Sequence, residues 1–216
     1  MTESGAPAAC PQGTSRLALF PLRAVLFPGG LLTLRVFEAR YLDLVARCMK
    51  RGEDFGVVCL TQGGEVRAPG QGAPVRFEAV GVRARIDSVD AQQAGLLTVR
   101  CTGQRRFVRE GEPTQDADGL WSACVRELEA DPACVPAPAM LGSVKALATA
   151  IATLRERGEQ PFLQPLRLDD AGWVANRWCE LLPIPLAARH RLMALADPNE
   201  RLALVDAYLR GKQVVR

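Results

Sequence analysis

Ser143-Val144-Lys145 sets a hydroxyl close to an amine, a pairing that could serve acyl transfer if the lysine acted as base to the serine. The spacing matches no recognised nucleophile motif, the glycine setting of a GxSxG elbow is missing, and both side chains are expected to face water from a helix. His190 is the single histidine, and its neighbours Arg189 and Arg191 offer no carboxylate to orient it as a base, so a solvated surface position is expected. Asp169-Asp170 resembles a carboxylate pair but precedes the helix that holds Trp173, where acidic groups cap the helix and complement its dipole. Gly211-Lys212 is followed by Gln213, so no GxxxxGK[ST] phosphate loop exists, which excludes a nucleotide-driven machine on this chain. Arg83 and Arg85, with Arg105, Arg106 and the neighbouring Phe107, could form a basic strip suited to RNA; the alternating spacing reads first as the wet face of a strand.

Seven cysteines form no CxxC pair and most lie in apolar runs, where a reduced cysteine behaves as a small hydrophobe. That usage argues for a reducing cytoplasm and against a disulfide framework or a zinc site. Arginine supplies 24 of the 27 cations, a choice that suits carboxylate or phosphate recognition but that genomic base composition also produces. The charge is uneven, with 14 basic and 9 acidic side chains over residues 17–110 but 12 basic and 14 acidic over 111–216. No apolar run approaches the roughly 20 residues of a membrane span. The polar start, MTESGAPAACPQGTS, lacks the apolar core of a signal peptide and is expected to be disordered.

The elements that must position any site begin at LALFPLRAVLFPGGLLTLRVFEARY, residues 17–41. Leu17–Phe20 is an extended run that must stop being an ordinary central strand at Pro21, which has no N–H for a ladder. A Phe27-Pro28-Gly29-Gly30 turn leads to a second run, Leu31–Val36, and from Glu38 the apolar spacing becomes helical through Tyr41, Leu44, Val45 and Cys48. A short buried strand over 55–60 precedes a Gly- and Pro-rich loop at 62–74, a candidate mobile segment. The pattern is β from Val75 to Val108, with a turn over 90–95 and a tight turn at Gly103, and a further strand covers 120–128. Short strands linked by turns, with one helix, predict a small, partly open barrel or folded-over sheet. EADPACVPAPA then ends the β pattern as a linker. Helical periodicity follows over 141–154, around Trp178, over 186–196 and after Asp197-Pro198-Asn199-Glu200, a cap, a proline at N1 and a glutamate at N3.

Residues 17–45 resemble the start of the amino-terminal domain of the Lon protease family, whose pattern runs close to LPLFPLRxVVLFPGxxLPLRIFExRY. The likeness continues through Phe55–Val58, Val80–Ile86, Gly103–Val108, Trp178–Pro183 and Ala196–Leu202, and so spans roughly 17–210. Departures are the loop at 62–74 and Val82 in place of a threonine. The resemblance implies an α+β fold, a PUA-like β pseudo-barrel followed by an α-helical bundle. The organisation expected is a disordered 1–16, a β-rich subdomain over 17–128, a linker over 129–140, a helical subdomain over 141–210 and a tail over 211–216. It also implies a cytoplasmic, non-catalytic protein without metal or cofactor, because the family's ATPase and Ser-Lys peptidase modules lie outside this domain. Its partners would be unfolded or degron-bearing polypeptides and, as an adaptor or competitor, a protease. An RNA- or DNA-binding module and a homodimer joined through the helical half are the alternatives, and no membrane is involved. The substrate-contacting candidates are Phe27, Phe37, Arg40, Tyr41, Arg105 and Phe107, with a core role the alternative for Phe37 and Tyr41.

Overall fold

The computed structural model describes residues 9–65 and 74–215, with Gln92 described by its backbone alone. A single six-stranded sheet comes first in the chain: β1 (Ser15–Leu22), β2 (Leu31–Val36), β3 (Phe55–Gln62), β4 (Arg76–Gln93), β5 (Leu96–Gln115) and β6 (Trp121–Glu127), with α1 (Ala39–Arg51) between β2 and β3. The strand order is β2-β5-β4-β3-β1-β6, and β6 also pairs with β5, so five strands close into a ring with β2 attached outside it. Long β5 makes this possible, because Leu97–Thr102 carries β2 whereas Phe107–Gln115 carries β6. Register shifts along β4 and β5 supply the bends that closure needs. β1 runs parallel to β3, and the other pairings are antiparallel.

Phe107 fills the ring, packed with Leu17, Leu19, Val58 and Val125. Gly56 and Gly81 make room for it, since a Cβ on either would lie 2.8 or 2.6 Å from the Phe107 ring. Pro21 marks the change expected of it. β6 accompanies β1 only as far as Leu19, so the proline lies where one side of β1 has become an edge.

The helical part holds a short 3-10 turn (Pro138–Met140), α2 (Leu141–Glu156), α3 (Ala171–Leu181), α4 (Leu186–Ala194) and α5 (Pro198–Gly211). Asp170 and Asp197 cap α3 and α5, each accepting two backbone N–H bonds. Leu147, Ile151, Val174, Trp178, Leu202 and Leu209 bury the faces that the helical spacing picks out.

Two arginine clasps join the parts. Asp131 in the connecting segment accepts from Arg106 of β5 at 2.5 Å and from Arg201 of α5 at 2.6 Å; Arg106 also donates to the Leu195 carbonyl just after α4 and Arg201 to the Leu192 carbonyl in its last turn. Arg177 of α3, fully buried, donates to the carbonyls of Gly29 at 2.5 Å and Pro28 at 2.9 Å and so holds the turn before β2.

Several expectations need correction. Gly103 is no turn, because β5 passes straight through it; the missing side chain admits the Phe27–Gly30 turn, whose Gly29 N–H donates to the Gly103 carbonyl at 2.8 Å. Ser143 is fully buried and donates to Asp206 at 2.6 Å rather than facing water. His190 is buried too, its Nε2 donating to the Val80 carbonyl at 3.0 Å. Arg106 points into the clasp, so the basic strip loses a member, and Arg83, Arg105 and Arg85 pair with Glu127 and Asp87. Cys10 and Cys124 form a disulfide, leaving five free cysteines. Residues 9–16 hold a turn and the first residues of β1, whereas residues 1–8 and most of the loop expected over 62–74 lie outside the described set.

Candidate functional site

The open side of the sheet lies between two strand edges that have no neighbour among the described residues. One belongs to β2, which pairs with β5 alone; the other is the second half of β1, Phe20–Leu22, beyond the reach of β6. Between them is a groove of about 310 Å³. Its floor is apolar and buried: Phe20, Leu22, Leu34, Val36 and Tyr41. Thr33, Arg35 and Phe37 form the rim on the β2 side, and Glu65 stands on the other.

Local sequence explains the arrangement. β2 alternates, with Leu34 and Val36 inward and Leu31, Thr33 and Arg35 outward. α1 begins two residues after Phe37, so Tyr41 turns back over the floor and stacks on Phe20, ring centroids 3.8 Å apart and planes 8° from parallel. Burial pushes the Tyr41 phenol up to about 12, so it stays neutral at any physiological pH. Arg40, also buried, donates to the Gly119 carbonyl at 2.8 Å and to Glu38 at 2.9 Å, tying the start of α1 to the β5–β6 connection.

The sequence candidates therefore separate. Phe37, 54% exposed, and Tyr41 come together at this groove, the first as its lip and the second as part of its floor. Arg40 lies behind it as a strut. Phe27 and Phe107 are fully buried and present no surface, and Arg105 is exposed elsewhere, beside Glu127 at 3.6 Å. Leu22, Leu34 and Arg35 are not singled out by sequence reasoning. Their signal is the two-residue alternation of β2, which marks its buried and wet faces, and Pro21, which marks an edge of β1.

Among the described residues the groove is lined by no cysteine, serine or histidine, and no cluster of His, Cys, Asp or Glu could hold a metal ion. A larger depression of about 630 Å³ lies between α1 and β1, lined by Arg16, Arg47 and Arg51 together with Glu53, Asp54 and Asp116, charges of both signs. A third, of about 550 Å³, is lined by Trp121 together with Arg109 and Glu112. No helix among the described residues is long and apolar enough to cross a membrane.

Comparison with known proteins agrees with this anatomy. The sequence profile of the ATP-dependent protease La (LON) substrate-binding domain matches residues 16–210. The crystal structure of a Lon N-terminal domain protein from Xanthomonas campestris is similar at 34% identity and a TM-score of 0.66, covering 90% of this chain and 98% of that one. The N-terminal domain of Mycobacterium avium complex Lon protease shares the fold at 15% identity and a TM-score of 0.58, over 88% of this chain and 96% of that one. No curated protein matches the sequence significantly.

Proposed function

The chain belongs to the Lon substrate-binding domain family, and from that premise we propose that it is a non-enzymatic module that binds unfolded or degron-bearing polypeptides in the cytoplasm, as an adaptor or competitor for a protease. The observation that carries this reading is the groove between β1 and β2. It is apolar at its floor, open at its rim and built from the stretch, residues 17–41, that most resembles the family. Unfolded chains differ from folded ones in exposing apolar side chains and unpaired backbone, and both features have a counterpart here.

Fluorescence anisotropy tests it with a permanently unfolded, reduced and carboxymethylated protein against its folded parent. Saturable binding of the unfolded form, weakened by Phe37→Ser, is the expected result. Binding no tighter than to a surface-matched control would end the reading. Retained RNA and a salt-sensitive shift would instead favour a nucleic-acid module. The arginines that could have formed its strip are engaged with Glu127, Asp87 and Asp131, which favours the polypeptide.

A further inference from the structure

Resting on the polypeptide-binding reading above, we propose that the client is held as an added β-strand along the outer edge of β2. It is an extended segment that alternates apolar and polar side chains and carries an acidic residue beside Arg35. In an antiparallel ladder alternate residues turn their N–H and C=O toward one neighbour and the rest turn theirs away. β2 spends the first set on β5, and the second set has no backbone partner among the described residues. Such an edge is a template for another strand unless the fold blocks it. β2 carries no proline or bulge, and its six residues pair with β5 without a register shift.

The opposite wall directs the client to β2 rather than β1. Beyond Leu19 the free side of β1 runs into Pro21, which cannot donate. A strand lying on β2 therefore keeps its own ladder and sends every second side chain down toward Phe20, Leu22 and Tyr41, which selects apolar residues at that spacing.

Charge completes the description. Around the groove, the Arg23 guanidinium donates to the Gly63 carbonyl, the Arg23 backbone N–H donates to Glu65, and Glu38 pairs with Arg40. Arg35 is exposed on the outer face of β2 and has no ion-pair partner among the described residues. An acidic side chain on the neighbouring strand is the cross-strand partner it lacks. A second copy does not supply one, because LLTLRV contains no acid to set beside Arg35.

The test uses the full chain and a short fluorescein-labelled peptide that alternates Val and Thr, has one central Glu and carries a Gly-Ser solubilising tail. Two N-methylated versions remove the N–H groups of the odd or of the even residues. One version is expected to lose at least about tenfold in affinity, the loss of one or two hydrogen bonds, while the other stays within about twofold. Arg35→Glu should weaken the Glu peptide and restore binding when Lys replaces Glu in the peptide. If both N-methylated peptides bind like the parent while unfolded protein still binds, strand addition is wrong and the polypeptide-binding reading survives. If neither peptide nor unfolded protein binds, both fall. A concentration-dependent dimer in sedimentation, abolished by Arg35→Glu, with no peptide bound would overturn the proposal in favour of self-pairing.

Discussion

A Cβ on Gly103 would stand 2.1 Å from the carbonyl oxygen of Phe27, far inside van der Waals contact, so the middle of β5 must stay bare for the turn before β2 to seat. The same pair of segments exchanges two backbone bonds, Gly29 N–H to Gly103 O and Gly103 N–H to Gly30 O, each 2.8 Å. Gly103→Ala is expected to destabilise the protein by about 1–3 kcal/mol, because backbone rather than a flexible side chain must move. Urea unfolding measures the loss. Faster hydrogen exchange at the Gly29 amide would locate it.

Among the described residues Asp131 is the single carboxylate between Arg106 and Arg201, both of which are nearly fully buried. Asp131→Asn leaves two desolvated cations facing each other with only neutral oxygens, backbone carbonyls and side-chain amides, as acceptors. The expected cost is about 3–5 kcal/mol, the usual result of removing one partner from a buried ionic group. Because the cluster joins β5, α4 and α5, the transition should also broaden if the helical part loosens before the barrel. A loss under 1 kcal/mol would show that neutral acceptors alone suffice.

Phe37 and Phe107 should respond in opposite ways. Phe107→Ala empties the ring and is expected to cost about 3–5 kcal/mol, since Gly56 and Gly81 have no side chains with which to close the gap. Phe37→Ala removes an exposed ring and should change stability by no more than about 0.5 kcal/mol, yet weaken binding of unfolded protein. Chemical denaturation and anisotropy on both variants separate the roles. Equal loss of binding in both would remove Phe37 from the site.

What the sequence makes legible follows range of interaction. The β2 alternation, the Pro21 change, the Asp170 and Asp197 caps and the helical faces are all written in local spacing, and the structure reproduces them. Gly103, Ser143, His190 and Arg106 are read differently because their partners are far away: Phe27, Asp206, Val80 and Asp131. A glycine looks like a turn and a polar residue looks wet until the element that packs on it is known. The groove falls between these cases, since the Pro21 edge and the buried face of β2 are legible separately but their meeting is not.

The Cys10–Cys124 bond fastens the start of the chain to β6 across 114 residues. Without reductant, thiol titration of the unfolded chain should find five free thiols rather than seven. Reduction should lower stability by up to about 4.7 kcal/mol, the chain-entropy ceiling for a loop of this length, and leave the groove unchanged because it lies away from β6. Seven thiols in protein purified without reductant would overturn the bond.

Glu180 lies one turn of α3 from Arg177 and against the Gly30 backbone that precedes β2. Burial lifts its carboxyl from 4.5 to about 7, outweighing the opposite pull of Arg177 and Arg189. A raised carboxyl means the folded state binds a proton that the unfolded state releases between those values. Stability from this group is therefore fully present below about pH 4.5 and is lost as pH rises through about 7, by up to about 3 kcal/mol. Glu180→Gln should flatten that slope, and the wild-type minus variant difference in urea stability across pH 5–8 isolates it from the other carboxylates. The same variant keeps a neutral group against Gly30, so peptide binding at pH 7 should hold. A difference that rises with pH instead would mean that Arg177 keeps Glu180 ionised and that the turn is held by a full ion pair.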